Sequence, residues 1–165
     1  MPDVDGFSAF VRASQRSLLR TAWLLTGDWG SAEDLVQTAL TKTWQRWDRI
    51  DPDAAHGYVR KVMLTSFLGW RARRWTGEVA LGWVPDRQTD APDSDTRQAV
   101  LTVLRGLPRQ QRAVVVLRYF DDLTERATAD ALGCSVGTVK SHTARALAAL
   151  RAIPELADLT NERTS

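Results

Sequence analysis

The sequence predicts an all-α protein of two small helical domains joined by an acidic, flexible linker. Apolar residues recur at helical spacing in both halves of the chain, and no strand-like alternation with hairpin turns interrupts them. The middle segment Thr76–Asp95 holds Gly77, Gly82, Pro85 and Pro92 among Asp, Thr and Ser, without a sustained period. All seven Trp stand at or before position 83, which indicates two separate cores rather than one. The expected division is a domain over 1–75, a linker over 76–95, a domain over 96–153 and a short polar tail over 154–165. A chain of 165 residues with 44% hydrophobic content has the material for two such domains.

In the first domain, Phe7, Phe10, Val11, Leu18, Leu19 and Ala22 follow a helical period until Gly27-Asp28-Trp29-Gly30 breaks it. Ser31 then reads as an N-cap, with Asp34 three residues on completing a variant capping box. The stripe Leu35, Val36, Ala39, Leu40, Thr43, Trp44 and Trp47 marks one face of a second helix. Pro52 separates it from a third, over about Ala54–Trp75. Between Tyr58 and Trp75 stand five basic residues (Arg60, Lys61, Arg71, Arg73 and Arg74) and no acidic ones, with Tyr58, Phe67, Trp70 and Trp75 among them. Cations track a phosphate backbone and aromatic faces stack on unpaired bases, so this segment suits melted DNA. Any single aromatic here reads at least as well as a core residue.

The second domain begins with a helix over Ser94–Leu104. Pro108 opens another at its first turn, and Ala113–Leu117 forms an apolar run within Gln110–Phe120. Asp121, Asp122 and Thr124 mark a break. A short helix over Thr124–Leu132 and a longer one over Val136–Arg151 then meet at Gly133-Cys134-Ser135. Gly133 suits a positive φ at a helix end, Ser135 caps the next helix, and Val136 and Val139 pin that helix to the core. This is the spacing of a DNA-reading helix-turn-helix. At 100° per residue the outward face carries Thr138, Ser141, Arg145 and Ala148, flanked by Lys140 and His142. Small side chains admit such a face to the major groove, where Arg145 can bind guanine or a phosphate. Cys134 reads as a small buried hydrophobe.

Charge and composition exclude other classes. The net charge of +2 conceals two basic blocks around an acidic one: 11 Lys/Arg against 8 Asp/Glu over 1–75, 1 against 5 over 76–95, and 10 against 7 over 96–165. Of the 22 basic residues 19 are Arg, a bias that fits phosphate and base contacts and equally fits a high-GC genome. No apolar run is long enough to span a membrane, and the acidic N-terminus has no signal-peptide pattern, so a cytoplasmic protein is expected. One Cys and two His give neither a disulfide framework nor a recognisable metal site. There is no P-loop, no Gly-x-Ser-x-Gly and no dinucleotide fingerprint. No cofactor and no catalysis are expected.

The stretch Leu107-Pro108-Arg109-Gln110-Gln111-Arg112 through Thr124, continuing into Leu132-Gly133-Cys134-Ser135-Val136-Gly137-Thr138-Val139-Lys140-Ser141, resembles region 4 of the extracytoplasmic-function (ECF) sigma factors, the SigE-like actinobacterial group above all. The resemblance implies that Lys140, Ser141, His142 and Arg145 lie at the −35 promoter element, with Arg118 and Thr138 at the DNA backbone. The chain departs from the family at His142, at Ala144 and over Glu125–Thr128. Ala32 through Leu40, leading to Trp44, is similar to region 2.2, which implies that Glu33, Asp34 and Gln37 face core RNA polymerase at the β′ clamp helices. Tyr58–Trp75 is similar to regions 2.3–2.4, which implies −10 recognition and promoter melting by Arg60, Lys61, Trp70, Arg71, Arg73 and Arg74, with Thr65 where the family often has Asn. The loop Asp48–Gly57 corresponds to the family's pocket for a flipped base, and the acidic linker to a segment that runs toward the RNA exit path. The implied partners are promoter DNA and the core polymerase, including its β flap. An anti-sigma factor is common in the family, and no residue here identifies one. The alternative is a stand-alone helix-turn-helix regulator of LuxR-like type. A receiver domain would need alternating strands and helices before Thr76, and that pattern is missing.

Overall fold

A helix starts where its first free N–H groups find an acceptor, and the first helix finds one in Asp3. The Asp3 carboxylate accepts from the Gly6 amide at 2.9 Å, and α1 runs over Val4–Thr26. The computed structural model describes residues 2–69 and 94–152. Gly27 ends α1 in the left-handed region at φ 74°, its amide returning to the Trp23 carbonyl. Thr26 Oγ1, buried at this corner, lies 2.8 Å from the Ala22 carbonyl oxygen and 3.1 Å from that of Asp28.

The second helix, α2, covers Trp29–Trp44 and corrects the expected capping box. Its N-cap is Asp28, in extended backbone, whose carboxylate accepts from the Ser31 amide at 2.8 Å. Ser31 is therefore a first-turn residue, and Asp34 lies beyond the cap with its side chain exposed. The aromatic stripe also breaks earlier than its period suggests. Trp47 is buried, but it belongs to a separate short 3-10 turn, Trp47–Arg49, after α2 has ended. It joins Phe7, Phe10 and Trp44 in an aromatic cluster with ring centroids 4.9–6.4 Å apart. A second 3-10 turn, Pro52–Ala54, leads into α3 over Ala55–Gly69. The expected loop Asp48–Gly57 is thus mostly regular. The rest of the third helix expected over Ala54–Trp75 lies outside the described residues, as do the linker Thr76–Asp95 for most of its length and the tail from Pro154.

The chain forms two compact units, the first holding α1–α3 and the second the helices from Ser94 onward. In the first, α2 packs against both α1 and α3. Leu18, Leu25, Leu35, Val36, Val59, Met63, Leu64 and Phe67 are almost wholly removed from water there. Each such side chain contributes about 1.5–3 kcal/mol relative to exposure.

In the second unit, α4 (Ser94–Gly106) precedes α5 (Arg109–Val115). Pro108 is the N-cap of α5 rather than its first helical residue, and its carbonyl accepts from the Arg112 amide. The Arg112 guanidinium reaches back to the carbonyls of Arg105 and Leu107, at 3.3 and 3.1 Å, and so satisfies the end of α4. Burial, then the neighbouring Arg109 and Arg105, lower its pKa from the usual arginine range. A π-helical segment, Val116–Phe120, continues α5. The chain then turns through Asp122, a non-glycine residue at φ 54°, into α6 (Glu125–Leu132) and α7 (Val136–Arg151). No strand occurs among the described residues, and no helix there is long and apolar enough to cross a membrane.

Because Asp28 is exposed and supplies the cap of α2, Asp28→Ala should lower the stability of the first unit by about 1 kcal/mol. Denaturant unfolding followed by Trp fluorescence checks this, since every Trp precedes the second unit.

Candidate nucleic-acid and partner interfaces

The helix-turn-helix is assembled from three local devices. Thr124 caps α6, its hydroxyl accepting from the Ala127 amide at 3.0 Å. Gly133 closes α6 in the left-handed region at φ 68°, and the Cys134 amide donates to the Ala129 carbonyl at 3.1 Å. Ser135 caps α7, accepting from the Thr138 amide at 3.1 Å. These set the direction of α7, and packing sets its rotation. Val139 is fully buried and forms a small core with Val114 of α5 and Ala129 of α6, against which Leu132 and Cys134 pack. Cys134 therefore takes the apolar role expected of it. Val136 does not pin the helix as expected. It is 38% exposed, since it stands at the first position of α7, three residues before the buried contact.

With Val139 and Ala146 turned inward, Lys140, Ser141, Ala144, Arg145 and Ala148 face solvent. Lys140, Ser141 and Arg145 thus share the exposed side of one helix. Thr138 is half-buried and its Oγ1 lies 2.9 Å from Ser135 Oγ, so its hydroxyl is shared with the cap. His142 is half-buried, and its Nδ1 is enclosed without a hydrogen-bond partner. Arg118 sits in the π segment, not on α7. Its guanidinium donates to the Leu123 carbonyl and ties the π segment to the chain that leads into α6.

Two further surfaces lie on the first unit. On α2, Gln37 and Asp34 are exposed and Glu33 is half-buried, on the side away from Leu35, Val36, Ala39 and Leu40. Positions 33, 34 and 37 fall within one arc of a helix, so the three form a single polar face. On α3, Lys61 is exposed and Arg60 half-buried, while Phe67 is fully buried and belongs to the core. Trp70, Arg71, Arg73 and Arg74 lie outside the described residues. The periodic pattern gave no sign of one contact: Glu125, in the first turn of α6, has Oε2 4.0 Å from the Lys140 ammonium. The two residues stand on different helices, so no spacing within one helix reports their meeting.

Residues 10–76 match the family Sigma-70 region 2, and residues 97–150 match Sigma-70, region 4. The chain is 42% identical over 162 residues to an RNA polymerase sigma-E factor of Streptomyces avermitilis, covering 95% of this chain and 89% of that one. It is 30% identical over 169 residues to the ECF RNA polymerase sigma factor SigL of Mycobacterium tuberculosis, covering 92% and 94%. Among solved structures, its fold is similar to the sigma factor RpoE from Bartonella quintana, which was crystallised with the anti-sigma factor NepR. The TM-score is 0.67 at 22% identity, over 93% of this chain and 99% of that one. CnrH, solved in complex with the cytosolic domain of CnrY, gives a TM-score of 0.64 at 22% identity over 90% and 87%.

A Cβ at Gly133 would meet nothing within 4 Å, so replacing this glycine tests backbone conformation alone. Gly133→Ala should cost about 1 kcal/mol, and Gly133→Asn less. The far-UV circular dichroism melt should show this loss while the Trp-monitored transition of the first unit stays in place.

Proposed function

This chain belongs to the ECF sigma factors of the sigma-70 family, and from that premise we propose how its surfaces divide the work of transcription initiation. The match of residues 10–76 to region 2 decides against a stand-alone helix-turn-helix regulator of LuxR-like type, because such a protein has no use for that domain. The observation that carries the proposal is the occurrence of both regions in one chain, in family order, each with an exposed polar face on one of its helices.

The polar face of α2, with Glu33, Asp34 and Gln37, docks on core RNA polymerase at the β′ clamp helices. The second unit meets the β flap and presents α7 to the major groove of the −35 element. There Lys140, Ser141, His142 and Arg145 read base edges, Arg145 through two parallel hydrogen bonds to guanine worth about 1–3 kcal/mol. The side of α7 without bulky residues, at Ala144 and Ala148, allows the close approach that such contacts need. Thr138 acts at the rim of this surface, toward the DNA backbone, while Arg118, whose guanidinium holds the Leu123 carbonyl, supports the chain that leads into α6. Arg60 and Lys61 on α3, together with Trp70, Arg71, Arg73 and Arg74 beyond it, hold the −10 element. Aromatic stacking on unpaired bases, about 1–3 kcal/mol per base, offsets the unpairing that promoter melting requires. The sigma factor supplies binding and strand separation, and the polymerase supplies the chemistry. The reading places the protein in the cytoplasm. Its fold neighbour RpoE is bound to an anti-sigma factor. A regulator of that kind would compete for the same surfaces.

Gel filtration of the purified chain with core RNA polymerase, without DNA, tests the reading. A stoichiometric complex is expected. Asp34→Arg should weaken it about tenfold or more, since it reverses the charge of the docking face and so its complementarity to the partner. Absence of a complex, with specific duplex binding by the chain alone, would overturn the proposal.

A further inference from the structure

The duplex-facing side of α7 holds one cation that is already engaged. Lys140 has a side chain 67% exposed, yet its ammonium lies 4.0 Å from Glu125 Oε2 on the neighbouring helix. Glu125 is the less exposed partner, at 38%, and that oxygen is enclosed and makes no hydrogen bond. The carboxylate therefore has Lys140 as its compensating charge, at the first turn of the helix that precedes the reading helix. An acidic group in this place is a cost to any DNA complex. It repels approaching phosphate and must give up its cation if Lys140 moves to the DNA.

We infer that Glu125 is a specificity-determining residue of the duplex interface, which acts by holding Lys140 away from the phosphate backbone. The inference rests on the reading of α7 as the duplex-reading helix. A phosphate offers Lys140 one negative charge in exchange for another, so on arbitrary DNA the exchange gains little and Lys140 stays with Glu125. A base edge with two well-placed acceptors, such as guanine O6 and N7, offers a directional contact that the carboxylate does not match. Lys140 is thus withheld from sequence-independent binding and released only at a site that rewards it. Glu125 positions Lys140 and does not itself touch the bases.

The test is the salt dependence of binding of the full chain to a duplex of arbitrary sequence, measured by fluorescence anisotropy for the wild type, Glu125→Gln, Lys140→Met, the double variant and Arg145→Ala. Freeing one Lys for phosphate steepens the slope of log K against log salt by about 0.9. Glu125→Gln should therefore enlarge the loss of affinity between about 50 and 200 mM salt by about 3.5-fold. In the Lys140→Met background, Glu125→Gln should add no slope. An equal effect of Glu125→Gln in the Lys140→Met background would overturn the inference, since the effect would then be net charge and not the pair. If Arg145→Ala flattens the slope while Glu125→Gln changes nothing, the inference fails and the reading of α7 stands. If none of the five proteins differ, α7 is not the duplex-reading helix and both fail.

Discussion

The burial of Val139 against Val114 and Ala129 is the contact on which the exposed face of α7 depends. A helix has one rotational degree of freedom about its axis, and a fully buried side chain fixes it. Once Val139 points inward, Lys140 and Ser141 must point outward, and Arg145 with them, because the helical period leaves them nowhere else. The turn supports this contact from both ends. Gly133 ends α6 without a steric penalty, and Ser135 starts α7 with a satisfied amide. A left-handed residue and a capping residue two positions apart leave the intervening Cys134 to fill the apolar space between the helices.

The first unit works by the same logic with a larger core. Packing of α2 between α1 and α3 buries Leu35, Val36, Ala39 and Leu40 and leaves Glu33, Asp34 and Gln37 on the opposite side. The exposed polar face is what remains of α2 after the core has taken its share. Asp28 adds to this by fixing where α2 begins, and the aromatic cluster of Phe7, Phe10, Trp44 and Trp47 joins its far end to the start of α1.

The cations of the second unit divide into two sets that composition does not separate. Arg112 and Arg118 bind carbonyls within the fold and hold α4 to α5 and the π segment to α6. A guanidinium is suited to this, because its charge strengthens the hydrogen bond and its stem packs on apolar neighbours. Arg145 and Lys140 are displayed instead. Lys140 stands 4.0 Å from the Glu125 carboxylate on the neighbouring helix. An arginine count therefore overstates the charge available to DNA.

The sequence by itself determined the helical class, the two-unit division, and the positions of Gly133 and Ser135 at the turn. It also determined the membership of Val139 in its core, and left Phe67 open between a core place and a stacking face until the structure buried it. Each of these is written in spacing along one helix or in the conformational preference of one residue, and both are local. Other features were decided by the tertiary structure. The N-cap of α2 is Asp28 and not Ser31, because the capping position depends on the path by which the chain leaves the Gly27 corner. Trp47 is buried although it lies past the end of α2, because a 3-10 turn returns it to the aromatic cluster. Val136 is exposed although apolar, because α7 begins before it reaches the core. Arg118 serves the fold, and Glu125 meets Lys140, only because separate helices cross. A periodic pattern reports the face of a residue on its own helix, and which partner fills the space opposite that face is set by the crossing of two helices.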